Sequence, residues 1–448
     1  MRLKVFGSVL VVLAVGACQV GTGSPPPPAT SPGGTSTAGT GPSDGAGGSP
    51  GPVLPGGRFA FAYPFFPLDG TSGVAAPEGF VERFAGAKHN PDVIEGWAAS
   101  GRDIRALNPQ GMYFKHLNLR ITDNTRRGAG GSKIDGMPDY DWIHANHPEW
   151  VIKDRRGEPV PMYLPTEEVL DFGNDAYLDW ALNTWMPQQL FDEADLAAPV
   201  IYLQHDNGDF QAHDIDCAPG DAVCARYTTD EGMQSAWVHM LTRVKQRWPQ
   251  VRIIVSSGPK PFVEPTVQLA ALKRVLAASD GYYSEGLTDR HHNYLRTATG
   301  PERRVALEMI RQLAAWLSDQ GKVFMPIEGQ DDGIPPTQAD TDYAFAFFNL
   351  LRTTSDRQFF GQLNIDPDGQ WAPTEYPEMD APLGAPTGPA TQVRPHVYQR
   401  TFDEAVAYVN LSDTTTTIDL PSSALTNSRG QTVTALTLEP FSGITLYG

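Results

Sequence analysis

The sequence is poor in cysteine, in positive charge and in long apolar runs. Its 448 residues hold three cysteines, and 34 Lys and Arg stand against 52 Asp and Glu, for a net charge of −18. Three cysteines cannot staple a chain of this length, so the fold must rest on a buried core. The acidic excess excludes nucleic acid as an expected partner, because phosphates would be repelled. No Gly-x-Ser-x-Gly elbow occurs in the segments that read as folded, which argues against a serine hydrolase. No run of apolar residues reaches the length that spans a bilayer.

What is present begins at the N-terminus. Arg2 and Lys4 precede a short apolar stretch, residues 5–15, closed by Gly16-Ala17-Cys18. This reads as a secretory signal, too short for a spanning helix. The segment resembles the lipobox of bacterial lipoproteins. The resemblance implies removal of the signal, residues 1–17, and a diacylglycerol on the sulfur of Cys18. Acyl chains hold a protein on a membrane at about 0.8 kcal/mol per buried methylene. An ordinary cleaved signal with an incidental Cys18 is the competing reading. The expected location is the cell surface or the periplasmic face of a membrane, lipid-anchored. Loss of Arg2 and Lys4 leaves 32 basic residues against 52 acidic.

Residues 18–57 form the expected tether. Beyond Cys18 they are almost wholly Gly, Pro, Ser, Thr and Ala, with one charge, Asp44, and no aromatic residue. Such a chain buries too little apolar surface to offset its conformational entropy, so it is expected to stay disordered. Its root-mean-square span is roughly 35 Å. All nine tryptophans follow it. Folded structure is therefore expected from residue 58, with a large domain to residue 390 and a small one over 391–448.

Cys217 and Cys224 lie in a loop-like stretch. Export would allow them to form a disulfide, and a metal pair is the competing reading. Asp206, Asp209, His213, Asp214 and Asp216 crowd the same stretch. Their spacing fits neither a calcium loop nor a zinc helix, so a solvated acidic loop is preferred and no metal or cofactor is expected.

Across residues 59–361, short apolar runs alternate with helical-period segments. The strand-like runs are 59–63, 112–117, 169–172, 200–205, 251–256, 281–284, 323–327 and 358–360. Helical spacing covers 175–190, 232–248, 265–278, 301–320 and 337–354. Eight strands alternating with helices predict an α/β fold, a (β/α)8 TIM barrel. A doubly wound open sheet is the alternative, weakened by the lack of a glycine-rich loop after the first strand. Beyond residue 390, short Thr- and Val-rich runs at 396–402, 405–410, 415–420, 431–438 and 443–447 predict a small C-terminal antiparallel β domain.

In such a barrel, chemistry gathers at the C-terminal ends of the strands. Those ends read Lys115-His116-Leu117-Asn118, Asp171, Gln204-His205-Asp206-Asn207, Glu285 and Glu328. Aromatic residues recur near them, including Tyr63, Trp142, Trp150 and Tyr283. Carboxylates mixed with aromatics suit a sugar: rings pack on pyranose faces, and a pair of carboxyls can cleave a glycosidic bond. Asp206 and Glu285 are the best pair, because they end strands four and six and can face one another across the mouth. A strand-end Asp also caps loops, and Glu285 could instead pair with an arginine. Lys115, His116, Asp171, His205, Asn207, Tyr63, Tyr283 and Glu328 are candidate substrate-binding residues.

These residues resemble a known family. His147-Pro148-Glu149-Trp150 followed by Asp154 and Gly157 is similar to its "His-Pro-x-Trp, then Asp-x-x-Gly" segment. Leu170-Asp171 through Tyr177 is similar to the joint that follows. Residues 200–207 and 281–285 resemble its fourth and sixth strands, and Ala407-Tyr408-Val409-Asn410 its closing β segment. The resemblance, over roughly residues 58–448, is to the barrels of hypothetical glycosyl hydrolase family fifteen. It is similar at greater distance to alpha-galactosaminidase-type and alpha-amylase-type barrels. It implies a glycosidase with Asp206 as the fourth-strand carboxylate and Glu285 as the sixth-strand one. His205 departs from the apolar residue expected before the Asp. The expected function is a surface-tethered glycoside hydrolase acting on a polysaccharide or exopolysaccharide, with a polysaccharide or oligosaccharide as its partner and a monomer as its working form. In a retaining enzyme Asp206 would be the nucleophile and Glu285 the acid/base. A sugar-binding or matrix-organising lipoprotein without turnover is the alternative from another class.

Overall fold

A computed structural model describes residues 58–62, 93–96, 112–124, 136–162, 165–191, 193–205, 210, 227–257, 264–285, 287–288, 298–328, 337–352, 359–362, 378, 383–420 and 425–448. The expected signal, Cys18, the tether and the Cys217–Cys224 stretch lie outside them.

The chain begins with β1 (Arg58–Ala62), β2 (Val93–Gly96) and β3 (Met112–Leu117). A side excursion then carries β4 (Ile121–Asp123) and β5 (Glu167–Val169). The main series resumes with β6 (Ile201–His205), β7 (Val251–Ser256), β8 (Gly281–Glu285), β9 (Val323–Glu328) and β10 (Phe359–Gln362). Eight of these pair in parallel in the order β1-β10-β9-β8-β7-β6-β3-β2, and β2 pairs back to β1 to close a barrel.

Seven of the eight expected strands are found in this ring. The run at 169–172 is a correction. It holds only the end of β5, which pairs antiparallel with β4 outside the barrel. The second barrel strand is β2 instead, which was not foreseen. The two errors offset, so β6 and β8 remain the fourth and sixth strands.

Helices occupy the described connections. The excursion holds α1 (Tyr140–Asn146), α2 (Asp175–Trp180) and α3 (Glu193–Ala197). Then follow α4 (Asp230–Arg247) after β6, α5 (Pro265–Leu276) after β7, α6 (Gly300–Asp319) after β8 and α7 (Gln338–Leu351) after β9. Their starts are built into the sequence. Thr229 Oγ1 accepts the Gly232 N–H at 3.1 Å, and Glu264 accepts the Val267 N–H at 2.9 Å with Pro265 at the first helical position. Thr299 with Glu302, and Thr337 with Asp340, form reciprocal capping boxes. The expected helix at 175–190 changes character halfway. Ala181–Leu190 widens into a π-helix containing Pro187. Proline lacks the N–H that an α-helix would use there. Among the described residues no helix is long and apolar enough to cross a membrane.

The barrel strands divide their side chains by alternation. Leu117, Ile201, Leu203, Val251, Ile253, Val255, Tyr282, Phe324 and Phe360 join the apolar layer shared with the helices. Their neighbours Phe114, Ile254, Tyr283 and Met325 are equally buried but stand outside that layer, on the inner face. Phe114 and Tyr202 meet there with ring centroids 5.1 Å apart. Gly281 belongs to the same face. A Cβ on it would come within 2.5 Å of the Val323 carbonyl oxygen and 3.0 Å of Ile254 Cγ2.

The C-terminal residues form a six-stranded antiparallel sheet and a two-stranded one. The strands are β11 (Thr391–Arg394), β12 (Val397–Thr401), β13 (Ala405–Asn410), β14 (Thr416–Ile418), β15 (Leu425–Asn427), β16 (Thr432–Val433), β17 (Leu436–Leu438) and β18 (Ser442–Tyr447). The larger sheet lies against α7. Asn349 Nδ2 donates to Thr445 Oγ1 at 3.1 Å, and Arg400 Nη1 donates to the Leu350 carbonyl at 3.3 Å. An ordinary surface helix buries one stripe. In α7 the eight residues from Ala344 to Leu351 are all buried. Ion pairs complete the seam: Arg429, in the β15–β16 turn, holds Asp342 of α7 at 2.7 Å and Glu378 at 3.1 Å.

Phe347, fully buried on α7, is expected to contribute most per side chain. Phe347→Ala should destabilise the protein by about 3–5 kcal/mol in chemical denaturation. Val305→Ala on α6, where the side chain is exposed, should change stability by less than about 0.5 kcal/mol.

Candidate active site

The C-terminal ends of β3, β6, β7, β8 and β9 converge on one rim, because all five strands run parallel in adjacent places. Alternation decides which strand-end residues look into the barrel. On β3, His116 shares the inner parity of Phe114, whereas Lys115 shares the outer parity of Leu117. On β6, Gln204 shares the inner parity of Tyr202, whereas His205 shares the outer parity of Ile201 and Leu203. His116 and Gln204 stand opposite one another in the β3–β6 ladder, and Gln204 stands opposite Ile254 in the β6–β7 ladder. Ser256 and Tyr283 stand opposite one another between β7 and β8. His116, Gln204, Ser256 and Tyr283 are all buried, and together they form the described polar inner wall.

Glu285 is the last residue of β8, two positions after Tyr283. Asp206 and Asn207 directly follow β6, and Tyr63 directly follows β1; all three lie outside the described residues. The acidic stretch that follows Asp206 also lies outside them. Among the described residues no group of three metal-ligating side chains occurs.

Four other candidates have partners that explain their burial. Lys115 Nζ forms a buried ion pair with Asp195 and donates to the Leu190 carbonyl at 3.1 Å. Both partners belong to the α2–α3 segment, outside the strand ring. His205 Nε2 accepts the Leu119 N–H at 3.1 Å, and its ring meets Trp237 edge-on at 4.7 Å. That bond puts the imidazole proton on Nδ1 and ties the segment leaving β3 to the end of β6. Glu328 has the parity of Phe324 and accepts the Thr288 N–H at 2.8 Å, ordering the chain after β8.

Asp171 was expected at the end of a barrel strand and is found in the excursion. Its carboxylate accepts from the Tyr227 hydroxyl at 2.7 Å and from Asn174 Nδ2 at 3.1 Å. Beside it, the Tyr177 hydroxyl donates to the Leu119 carbonyl at 2.7 Å. Burial, with the Asp171 charge second, pushes the Tyr177 phenol well above its ordinary range. This phenol therefore stays a hydrogen-bond donor. The excursion also gathers the aromatics singled out in the sequence. Trp142 stacks on Trp180 at 4.4 Å and 10°, and His147 stacks on Trp150 at 3.8 Å and 8°. Trp150 is buried, while Trp142 and Trp180 are half-buried. The His147-Pro148-Glu149-Trp150 segment thus serves first as packing.

Gln204 stands among the strand-end residues of the sequence but not among the candidate substrate-binding ones, and the structure adds it to the inner wall.

The Lys115 pairing generates a test of role. Lys115→Met should leave the Asp195 carboxylate buried without its cation and cost about 3–5 kcal/mol in denaturant unfolding. Lys115→Met combined with Asp195→Leu should recover most of that loss. A lysine needed for a ligand would instead leave the single variant's stability near the parent's.

No curated protein matches the chain in sequence. Among solved structures, Amy13B of Eubacterium rectale is similar at 10% identity, over 88% of this chain and 96% of that one, with a TM-score of 0.45. The noncanonic maltogenic alpha-amylase AmyB of Thermotoga neapolitana is similar at 12% identity, over 87% and 95%, with a TM-score of 0.43. A cyclomaltodextrinase is similar at 11% identity, over 87% and 74%, with a TM-score of 0.39. The family profile that matches the sequence covers residues 105–406, a narrower span than the motifs implied, from before β3 into β13. With about two thirds of its length inside that match, the chain belongs to hypothetical glycosyl hydrolase family 15.

Proposed function

We propose that this protein is a glycoside hydrolase of extracellular polysaccharide or oligosaccharide, with Asp206 and Glu285 as its working carboxylates. The observation that carries this reading is the placing of β6 and β8 in one closed ring with only β7 between them. Two ladder spacings of about 4.8 Å put their backbones about 9–10 Å apart. Side chains that lean inward from two such strand ends span the separations used for glycosidic cleavage, about 5–9.5 Å. Both residues follow an inner-wall residue, Gln204 or Tyr283, by two positions. We read the ring as a (β/α)8 barrel with a helix after every strand, the scaffold on which such carboxylates work.

Asp206 is the nucleophile and Glu285 the acid/base in the retaining form of this proposal. Glu285 protonates the leaving oxygen while Asp206 attacks the anomeric carbon, and Glu285 then takes a proton from water to release the sugar. His116 and Tyr283 contact the sugar from the inner wall. The lipid on Cys18 and the 39-residue tether after it belong to the same proposal. They hold the enzyme at a membrane surface while its mouth reaches a polymeric substrate.

The test is a polysaccharide panel scored for new reducing ends. The wild type should cleave at least one neutral glycan. Asp206→Asn should lose turnover by about a thousandfold or more. Binding by the wild type with no release of reducing ends would retire hydrolysis in favour of a sugar-binding lipoprotein.

A further inference from the structure

The inner wall contains an amide that none of the described residues uses. Gln204 is wholly buried, and among the described residues neither its Oε1 nor its Nε2 has a hydrogen-bond partner. Such a group is costly, because its bonds to water are lost and no described group replaces them. The cost is avoidable. Positions 201 and 203 of the same strand carry Ile and Leu, and Gln204 stands opposite Ile254 on β7. An apolar side chain of similar length would fill the place.

A second amide accompanies it. Asn118 follows the inner-wall His116 by two residues and is wholly buried. Its Oδ1 accepts the Arg120 N–H at 3.1 Å, but its Nδ2 has no partner among the described residues. In the β3–β6 ladder Gln204 stands opposite His116 and His205 opposite Leu117, so Asn118, just past the end of β3, lies two residues further toward the rim than Gln204 on the adjoining strand.

We infer that Gln204 and Asn118 form the floor of a subsite that binds the ring hydroxyls of a neutral sugar, with Gln204 as a positioning residue for the substrate. The inference rests on the glycosidase reading for its setting. Its chemistry comes from the two amides. A sugar hydroxyl both donates and accepts, and the Gln204 amide offers one group of each kind. An anionic sugar would ask for a cation. The cation nearest Asn118 in sequence, Arg120, is buried with its guanidinium carbon over the Phe172 ring of the excursion at 6.0 Å, and Lys115 faces away from the wall onto Asp195 and the Leu190 carbonyl. The inner-wall residues His116, Gln204, Ser256 and Tyr283 include no lysine or arginine.

The test uses Gln204→Met in the full chain, which keeps length and removes the amide. Without ligand, its melting temperature should equal the wild type's or exceed it by about 1–3 °C, since an unpaired buried amide is removed. Binding is measured by calorimetry in the Asp206→Asn background, with maltotriose, cellotriose, laminaritriose, mannotriose and trigalacturonate as probes. At least one neutral trisaccharide should bind, and Gln204→Met should weaken it about tenfold or more.

A fall of several degrees in melting temperature would make the amide a structural group and overturn the inference. So would equal affinity with and without the amide, no binding of any neutral probe, or tighter binding of trigalacturonate. Neutral binding that needs Gln204, in a wild type that releases no reducing ends, would uphold the subsite and overturn hydrolysis alone.

Discussion

Everything at the mouth of this protein depends on strand alternation inside a ring with no free edge. Once β2 pairs with β1, every strand has two neighbours and one register, and a slip of one residue would turn its whole side-chain set inside out. The apolar outer set holds that register. Val251, Ile253 and Val255 on β7, with Ile201 and Leu203 on β6, are drawn to the helix layer, so the residues between them must face inward. The polar character of His116, Gln204 and Ser256 is therefore carried by a framework whose stability comes from the opposite face.

Much of this architecture could be read from the sequence, because short β-branched runs separated by helical spacing are a strong local signal. The limits were also physical. Val169-Leu170-Asp171-Phe172 looks like a barrel strand ending in a carboxylate, yet its apolar residues are buried within the excursion beside Trp150 and Tyr177. Run length cannot tell a strand of a local two-stranded sheet from one of the ring. Conversely, β2 is only Val-Ile-Glu-Gly, too short to stand out from loop sequence.

At the site, proximity to a strand end was legible, but the facing of each side chain was less so. Lys115 and His205 are at strand ends and turn outward, where they fix the excursion to the ring. Position along the strand selects the rim, and parity selects the wall. Both are needed, and parity becomes certain only when the outer apolar set is known. The aromatic residues taught the same lesson. Trp142 and Trp150 suggest a sugar platform by composition, yet their faces are largely spent on Trp180 and His147.

Helix α7 leaves little freedom to the C-terminal sheet. With one face on the barrel and the other under β13 and β18, it has no solvent side along Ala344–Leu351. The sheet is thus the outer half of a shared interior. A chain cut before Thr391 would expose Phe347, Phe348 and their neighbours to water and invite aggregation. Loss of the barrel would leave the sheet with an equally bare surface. Inheritance of the two parts is then tied together: exchange of the sheet between relatives would succeed only where the partner helix is exchanged with it.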